Sequence, residues 1–106
     1  MDPVEINAGA WYLRALRADD RMDDRPALAE IGITDPDYVA QSERHWSEDS
    51  RYTWAVCEPT TGEMLAEAAL DVHTGEIVLR ARPGHDGVAD TATQAVGRFA
   101  GALGIS

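Results

Sequence analysis

The sequence predicts an α+β domain in which helices pack on a mostly antiparallel sheet. Residues 52–82 alternate strand-like runs with clusters of turn formers, a pattern that pairs neighbouring strands antiparallel without a crossover. Residues 18–50 and 88–103 instead place their apolar side chains at helical spacing. Length sets the scale. A chain of 106 residues with 44% hydrophobic content makes one domain, spanning 1–106, with a small core.

Each element has its own local reason. Residues 10–16 (AWYLRAL) read as the first strand, and Ala18, Asp19 and Asp20 then open a helix whose early carboxylates suit its dipole. Ala27, Leu28 and Ile31 continue it at helical spacing, and Gly32 stops it. Thr34 or Asp35 caps a second helix with Pro36 in its first turn. Tyr38, Val39, Ser42, His45 and Trp46 line one side of that helix, which closes at the polar run Ser47 to Ser50. Three strands follow: Tyr52–Cys57, Met64–Asp71 and Glu76–Arg82. Their connections, Glu58–Glu63 and His73–Gly75, are rich in turn formers. On the third of these strands Ile77, Leu79 and Ala81 share one face, against Val78, Arg80 and Arg82. From about Val88 to Leu103 a last helix presents Ala92, Ala95, Val96, Phe99, Ala100 and Leu103 on one stripe. Gly97 and Gly101 let it lie close to the sheet. The predicted order is β-α-α-β-β-β-α.

Charge and composition remove several classes of function. A net charge of -10 disfavours binding to a phosphate backbone, which depends on clustered cations. No apolar run is long enough to span a bilayer, and the acidic Met1–Glu5 lacks the charge of a secretory signal. A single cysteine, Cys57, points to a reducing compartment, so a cytoplasmic location is expected. His45, His73 and His85 are scattered and form no metal-ligand pattern with Cys57. Cys57 itself reads as a small buried hydrophobe. No Gly-x-Ser-x-Gly or Cys/His nucleophile pattern is present. Trp11, Trp46 and Trp54 read as packing residues, with Trp46 beside His45 an alternative lining for a substrate groove.

The stretch between the third strand of the meander and the final helix carries the most chemistry. Gly84 to Ala89 is a Gly-rich turn opening a helix, where unpaired backbone N–H groups meet a positive dipole end. Asp86 and Asp90 lie there, with no Arg or Lys between Pro83 and Gln94. The turn thus has the backbone of a phosphate site without its cations. The competing reading is a strand-to-helix turn that uses glycine for its backbone angles alone.

Three stretches together resemble the GNAT-type N-acetyltransferases, in particular the branch that acetylates N-termini of ribosomal proteins. Residues 12–20 (YLRALRADD) are similar to the family's LRPLTPDD segment. Residues 52–67 (YTWAVCEPTTGEMLAE) resemble its second and third strands. Residues 87–92 (GVADTA), with Ala95-Val96, Arg98-Phe99-Ala100 and Leu103-Gly104-Ile105, resemble the helix after its pyrophosphate turn. The resemblance implies a GNAT-like fold, acetyl-CoA as co-substrate, and acetyl transfer to a primary amine such as a peptide N-terminus. It places the pyrophosphate on backbone N–H groups of Gly87, Val88 and Ala89. Backbone N–H groups near Leu79 to Ala81 would then polarise the thioester carbonyl.

Four departures accompany it. Gly84 and Asp86 stand where the family has Gln or Arg, and Ala66 stands where it has Gly. The chain also ends at Ser106, about where the family's fifth strand begins. The resemblance therefore implies a C-terminally truncated domain, weak or inactive alone, with no catalytic residue assigned by motif. Glu67 and Glu76, on or beside the central strands, are candidate bases for the incoming ammonium. All nine basic residues are Arg, so acetylation of the chain's own lysines is excluded. The alternative function is a catalytically silent GNAT-derived module. Its last strand before the final helix would be an open edge, suited to a second copy or a complementary C-terminal half. A basic peptide or amine is the natural ligand of either version, given the acidic surface.

Overall fold

The computed structural model describes residues 1–105. Five strands form one sheet in the order of the chain: β1 (Ile6–Ala8), β2 (Trp11–Arg14), β3 (Arg51–Cys57), β4 (Met64–Asp71) and β5 (Ile77–Ala81). All neighbours are antiparallel. Three helices complete the domain: α1 (Arg25–Glu30), α2 (Tyr38–Ser47) and α3 (Ala89–Ala102). The α+β class and the mostly antiparallel sheet are as the sequence predicts, with one additional strand.

That additional strand is β1. The expected single strand over residues 10–16 is instead the second arm of a hairpin, with Ala8 opposite Trp11 and Ile6 opposite Leu13. Gly9, at φ 65°, supplies the left-handed turn residue that a two-residue connection requires. The observed order is therefore β-β-α-α-β-β-β-α.

The first helix also differs. Asp19 and Asp20 do not open it. Asp19 Oδ1 accepts the backbone N–H groups of Arg21 and Met22 at 2.9 and 3.0 Å, holding a loop where a helix was expected. The helix begins only at Arg25, with Pro26 in its first turn. Likewise α2 starts at Tyr38 behind Asp37, so Thr34, Asp35 and Pro36 precede it. Asp35 Oδ1 accepts the Asp37 N–H at 2.9 Å and shapes the approach instead of capping the helix.

The sheet has a helix layer on each face. Helix α3 covers the face bearing Tyr52, Trp54, Val56, Ala68 and Leu70, with Ile77, Leu79 and Ala81 of β5 joining this core. Trp46 of α2 stacks on Tyr52 at 4.4 Å, meets Trp54 edge-on at 5.1 Å, and donates its indole N–H to the Thr53 carbonyl at 3.1 Å. The opposite face carries a smaller core of Leu16, Leu28, Val39, Ala55, Cys57 and Met64 beneath α1 and α2. Leu65 is an extra residue on β4, because Val56 pairs with Ala66 while Cys57 pairs with Met64. Trp46, Trp54 and Cys57 are buried, as the sequence predicts, and Trp11 packs against the larger core half-buried. Among the described residues no helix is long and apolar enough to cross a membrane.

Candidate functional site

Strand β5 lies at the edge of the sheet and runs directly into the Gly84–Ala89 turn. Its hydrogen-bond direction follows from two bonds to β4: Asp71 N–H to Glu76 O at 2.9 Å and Arg82 N–H to Leu65 O at 2.9 Å. In an antiparallel ladder the residues that pair alternate with residues that point away. Val78 and Arg80 therefore pair with β4. Ile77, Leu79 and Ala81 turn their N–H and C=O groups to the open edge while their side chains pack beneath α3.

Beyond the strand, Gly84 takes φ 85°, a left-handed angle that only glycine adopts without strain. Asp86–Val88 then make one 3-10 turn into α3. The Val88 N–H reaches His85 O at 3.4 Å and the Ala89 N–H donates to Asp86 O. Asp86 and Gly87 have no such backbone partner among the described residues. Of the three expected anion-binding positions, Gly87 thus keeps a free N–H, Val88 and Ala89 share theirs locally, and Asp86 adds one that sequence reasoning missed. Gly87 is not held by backbone conformation, since its φ is not positive, and a Cβ there would meet nothing within 4 Å. No element of the fold requires glycine at that position.

The Asp86 carboxylate is exposed beside these N–H groups. The nearest preceding cation, Arg82, is occupied elsewhere: it pairs with Glu63 at 2.7 Å and Glu30 at 2.8 Å. Those three residues help to line an acidic cleft of about 240 Å³ between α1 and the β3–β4 turn. The turn carries no compensating positive side chain.

The two candidate bases fare differently. Glu76 is exposed and lies just before β5. Glu67 is only 1% exposed. It lies on the sheet face away from α3, where the Tyr38 hydroxyl donates a hydrogen bond to its Oε2. Arg51 Nη1 donates to the same hydroxyl oxygen at 3.2 Å. Burial, and then the bond to Glu67, raises the Tyr38 pKa above its ordinary value, so the phenol holds its proton at neutral pH. Tyr38 and Arg51 could not be paired with Glu67 from sequence, because Tyr38 and Glu67 stand 29 residues apart in the chain.

Among the described residues no group of three His, Cys, Asp or Glu side chains is placed to hold a metal ion.

This architecture is the GNAT acyltransferase-like fold. A solved structure similar to it is that of a Vibrio cholerae protein assigned as a ribosomal-protein-serine acetyltransferase. The TM-score is 0.77 and the identity 16%, over 100% of this chain and 72% of that one. At the level of sequence, no family model and no curated protein matches the chain.

Proposed function

We propose that the chain is an acetyl-CoA-dependent N-acetyltransferase domain acting on a primary amine such as a peptide N-terminus. One observation carries the reading: an open strand edge leads into a helix-opening turn whose Gly87 has a free N–H and open space at its Cβ position. Glycine in a helical conformation costs about 1 kcal/mol relative to alanine, so its presence without a structural need favours close approach by a ligand. In this reading the pyrophosphate meets the N–H groups around Gly87, Val88 and Ala89 at the start of α3. The thioester carbonyl lies along the outward N–H groups of Leu79 and Ala81. The acidic surface favours a cationic acceptor. The similar structure's assignment to ribosomal-protein serine makes a peptide beginning with serine the first acceptor to try. A buried lone cysteine suits a reducing, cytoplasmic setting.

Calorimetric titration of acetyl-CoA into the wild type and Asp86→Arg tests the site. Micromolar binding that tightens in the variant supports it, because the variant replaces a repulsive charge with an attractive one. Silence from both proteins refutes it. Incubating either protein with acetyl-CoA and the tripeptide amide Ser-Gly-Gly, then weighing the peptide, tests the transfer.

The open edge favours a second reading, a binding module in which β5 accepts a strand from a second copy or from a complementary C-terminal half. Ala81→Pro removes one outward N–H without breaking the ladder to β4. Sedimentation should show a dimer for the wild type and a monomer for this variant; a wild-type monomer removes the self-paired version.

A further inference from the structure

We propose that Tyr38 and Glu67 form a proton relay, in which the Tyr38 hydroxyl meets the acceptor amine and passes a proton to the buried Glu67. The proposal rests on the acetyltransferase reading and adds the groups that deprotonate the ammonium. Three observations support it.

The first is direction. A phenol has one proton to donate and a lone-pair side with which to accept. Arg51 supplies an N–H to the Tyr38 oxygen at 3.2 Å, which leaves the phenol proton directed at Glu67 Oε2. The chain of donors therefore runs Arg51 to Tyr38 to Glu67, and ends on a carboxylate able to take a proton. One accepting site on the Tyr38 oxygen stays available to an incoming N–H.

The second is access. Glu67 is buried, but Tyr38 is half-buried at the first residue of α2 and forms the outer end of the pair. An amine reaches the carboxylate through the phenol and has no need of an open path to Glu67.

The third is register. Glu67 pairs with Arg80 in the β4–β5 ladder, at a hydrogen-bonded position where Cα atoms stand about 5.5 Å apart. Arg80 lies between Leu79 and Ala81, whose outward N–H groups would hold the thioester carbonyl. On the Glu67 face β5 carries only half-buried Val78 and exposed Arg80. Glu67 thus lies one strand in from β5, on the sheet face away from α3.

The protons balance. The ammonium gives one proton to the Tyr38 oxygen as the phenol gives its own to Glu67. The neutral nitrogen then forms its bond to the thioester carbon, the C–S bond breaks, and the sulfur leaves with the electron pair. The second N–H proton ends on that sulfur, and the proton on Glu67 returns to solvent through Tyr38.

Tyrosine labelled with ¹³C at Cζ gives three signals, and Tyr38→Phe identifies the relevant one. The tripeptide amide Ser-Gly-Gly should move the Tyr38 signal, its N-acetylated form should not, and Glu67→Gln should weaken the response at least tenfold. With acetyl-CoA present, Tyr38→Phe and Glu67→Gln should each lower kcat by about 10²-fold or more while KM changes little, and Glu67→Asp should recover part of the rate. A Tyr38 signal indifferent to the free amine, while amides of the Gly84–Ala89 turn respond to acetyl-CoA, overturns the relay and leaves the acetyltransferase reading standing. Turn amides silent to acetyl-CoA remove the acetyl donor, and with it the relay as a catalytic device, even if Tyr38 responds to the amine.

Discussion

Arg14 and Asp24 face each other as a bidentate ion pair, Nη1 to Oδ2 at 2.8 Å and Nη2 to Oδ1 at 2.9 Å, with both side chains almost out of solvent. Asp24 Oδ2 also accepts the Arg17 N–H at 2.7 Å, and Arg14 Nη2 donates to the Gly62 carbonyl at 3.0 Å. The pair therefore joins β2, the loop before α1 and the β3–β4 turn. Removing one member leaves a buried charge without its counter-ion. Asp24→Ala should destabilise the fold by about 3–5 kcal/mol, read from urea unfolding. A loss below about 1 kcal/mol would mean that Arg14 finds water in the folded state.

Burial pushes the Cys57 thiol up to about 12, with the nearby Arg14 cation opposing the shift. A raised thiol pKa means the folded state holds its proton longer than the unfolded chain does. The associated stability is intact below pH 9, the ordinary value, and is lost as pH rises from there through 12. The urea midpoint should fall across that window, and Cys57→Ala should reduce the fall. Alkylation of Cys57 by iodoacetamide at pH 8 should also be far slower in the folded protein than in urea.

Gly84 and Gly87 should separate structure from binding. At Gly84, φ 85° makes alanine strained, and Gly84→Ala should cost about 1–2 kcal/mol. At Gly87 neither angle nor space opposes a methyl group, so Gly87→Ala should leave stability unchanged or raise it by about 0.5–1 kcal/mol. The same change should weaken acetyl-CoA binding at least tenfold in calorimetry. Unchanged affinity would remove the Gly87 backbone from the site.

Trp46 holds α2 to the larger core through its stack on Tyr52 and its bond to the Thr53 carbonyl. Trp46→Ala should cost about 3–5 kcal/mol. Because the same helix carries Tyr38, the loss should be accompanied by a shift of the Tyr38 ¹³Cζ signal in the variant under native conditions.

Much of the fold was legible because its signals are local. The β3–β4–β5 meander announces itself in turn formers at 58–63 and 73–75, and α3 in its apolar stripe. The misreadings occur where a side chain competes with the backbone. Asp19 looked like the first turn of a helix, but its carboxylate satisfies Arg21 and Met22 and keeps the chain in a loop. Ile6–Ala8 gave no alternation to read, since three residues are too few to show a period. The Gly-rich turn was visible by composition, yet which of its N–H groups remain free depends on the 3-10 turn. Glu67 shows the deeper limit. Alternation along β4 says which residues share a face, but burial depends on what covers that face, and Tyr38 comes from a distant helix.

The order of strands in space repeats their order in the chain, and this bears on how the molecule assembles. Strands β3, β4 and β5 meet through short turns, so their pairing costs little loop-closure entropy. The connection from Ala15 to Ser50 is the long one, and both α1 and α2 lie within it. The meander is therefore expected to form early and the helix pair to dock afterwards. Glu67 belongs to the first event and Tyr38 to the second, so the bond between them closes only when folding is complete. A chain halted before docking would hold a finished meander with Glu67 still facing water.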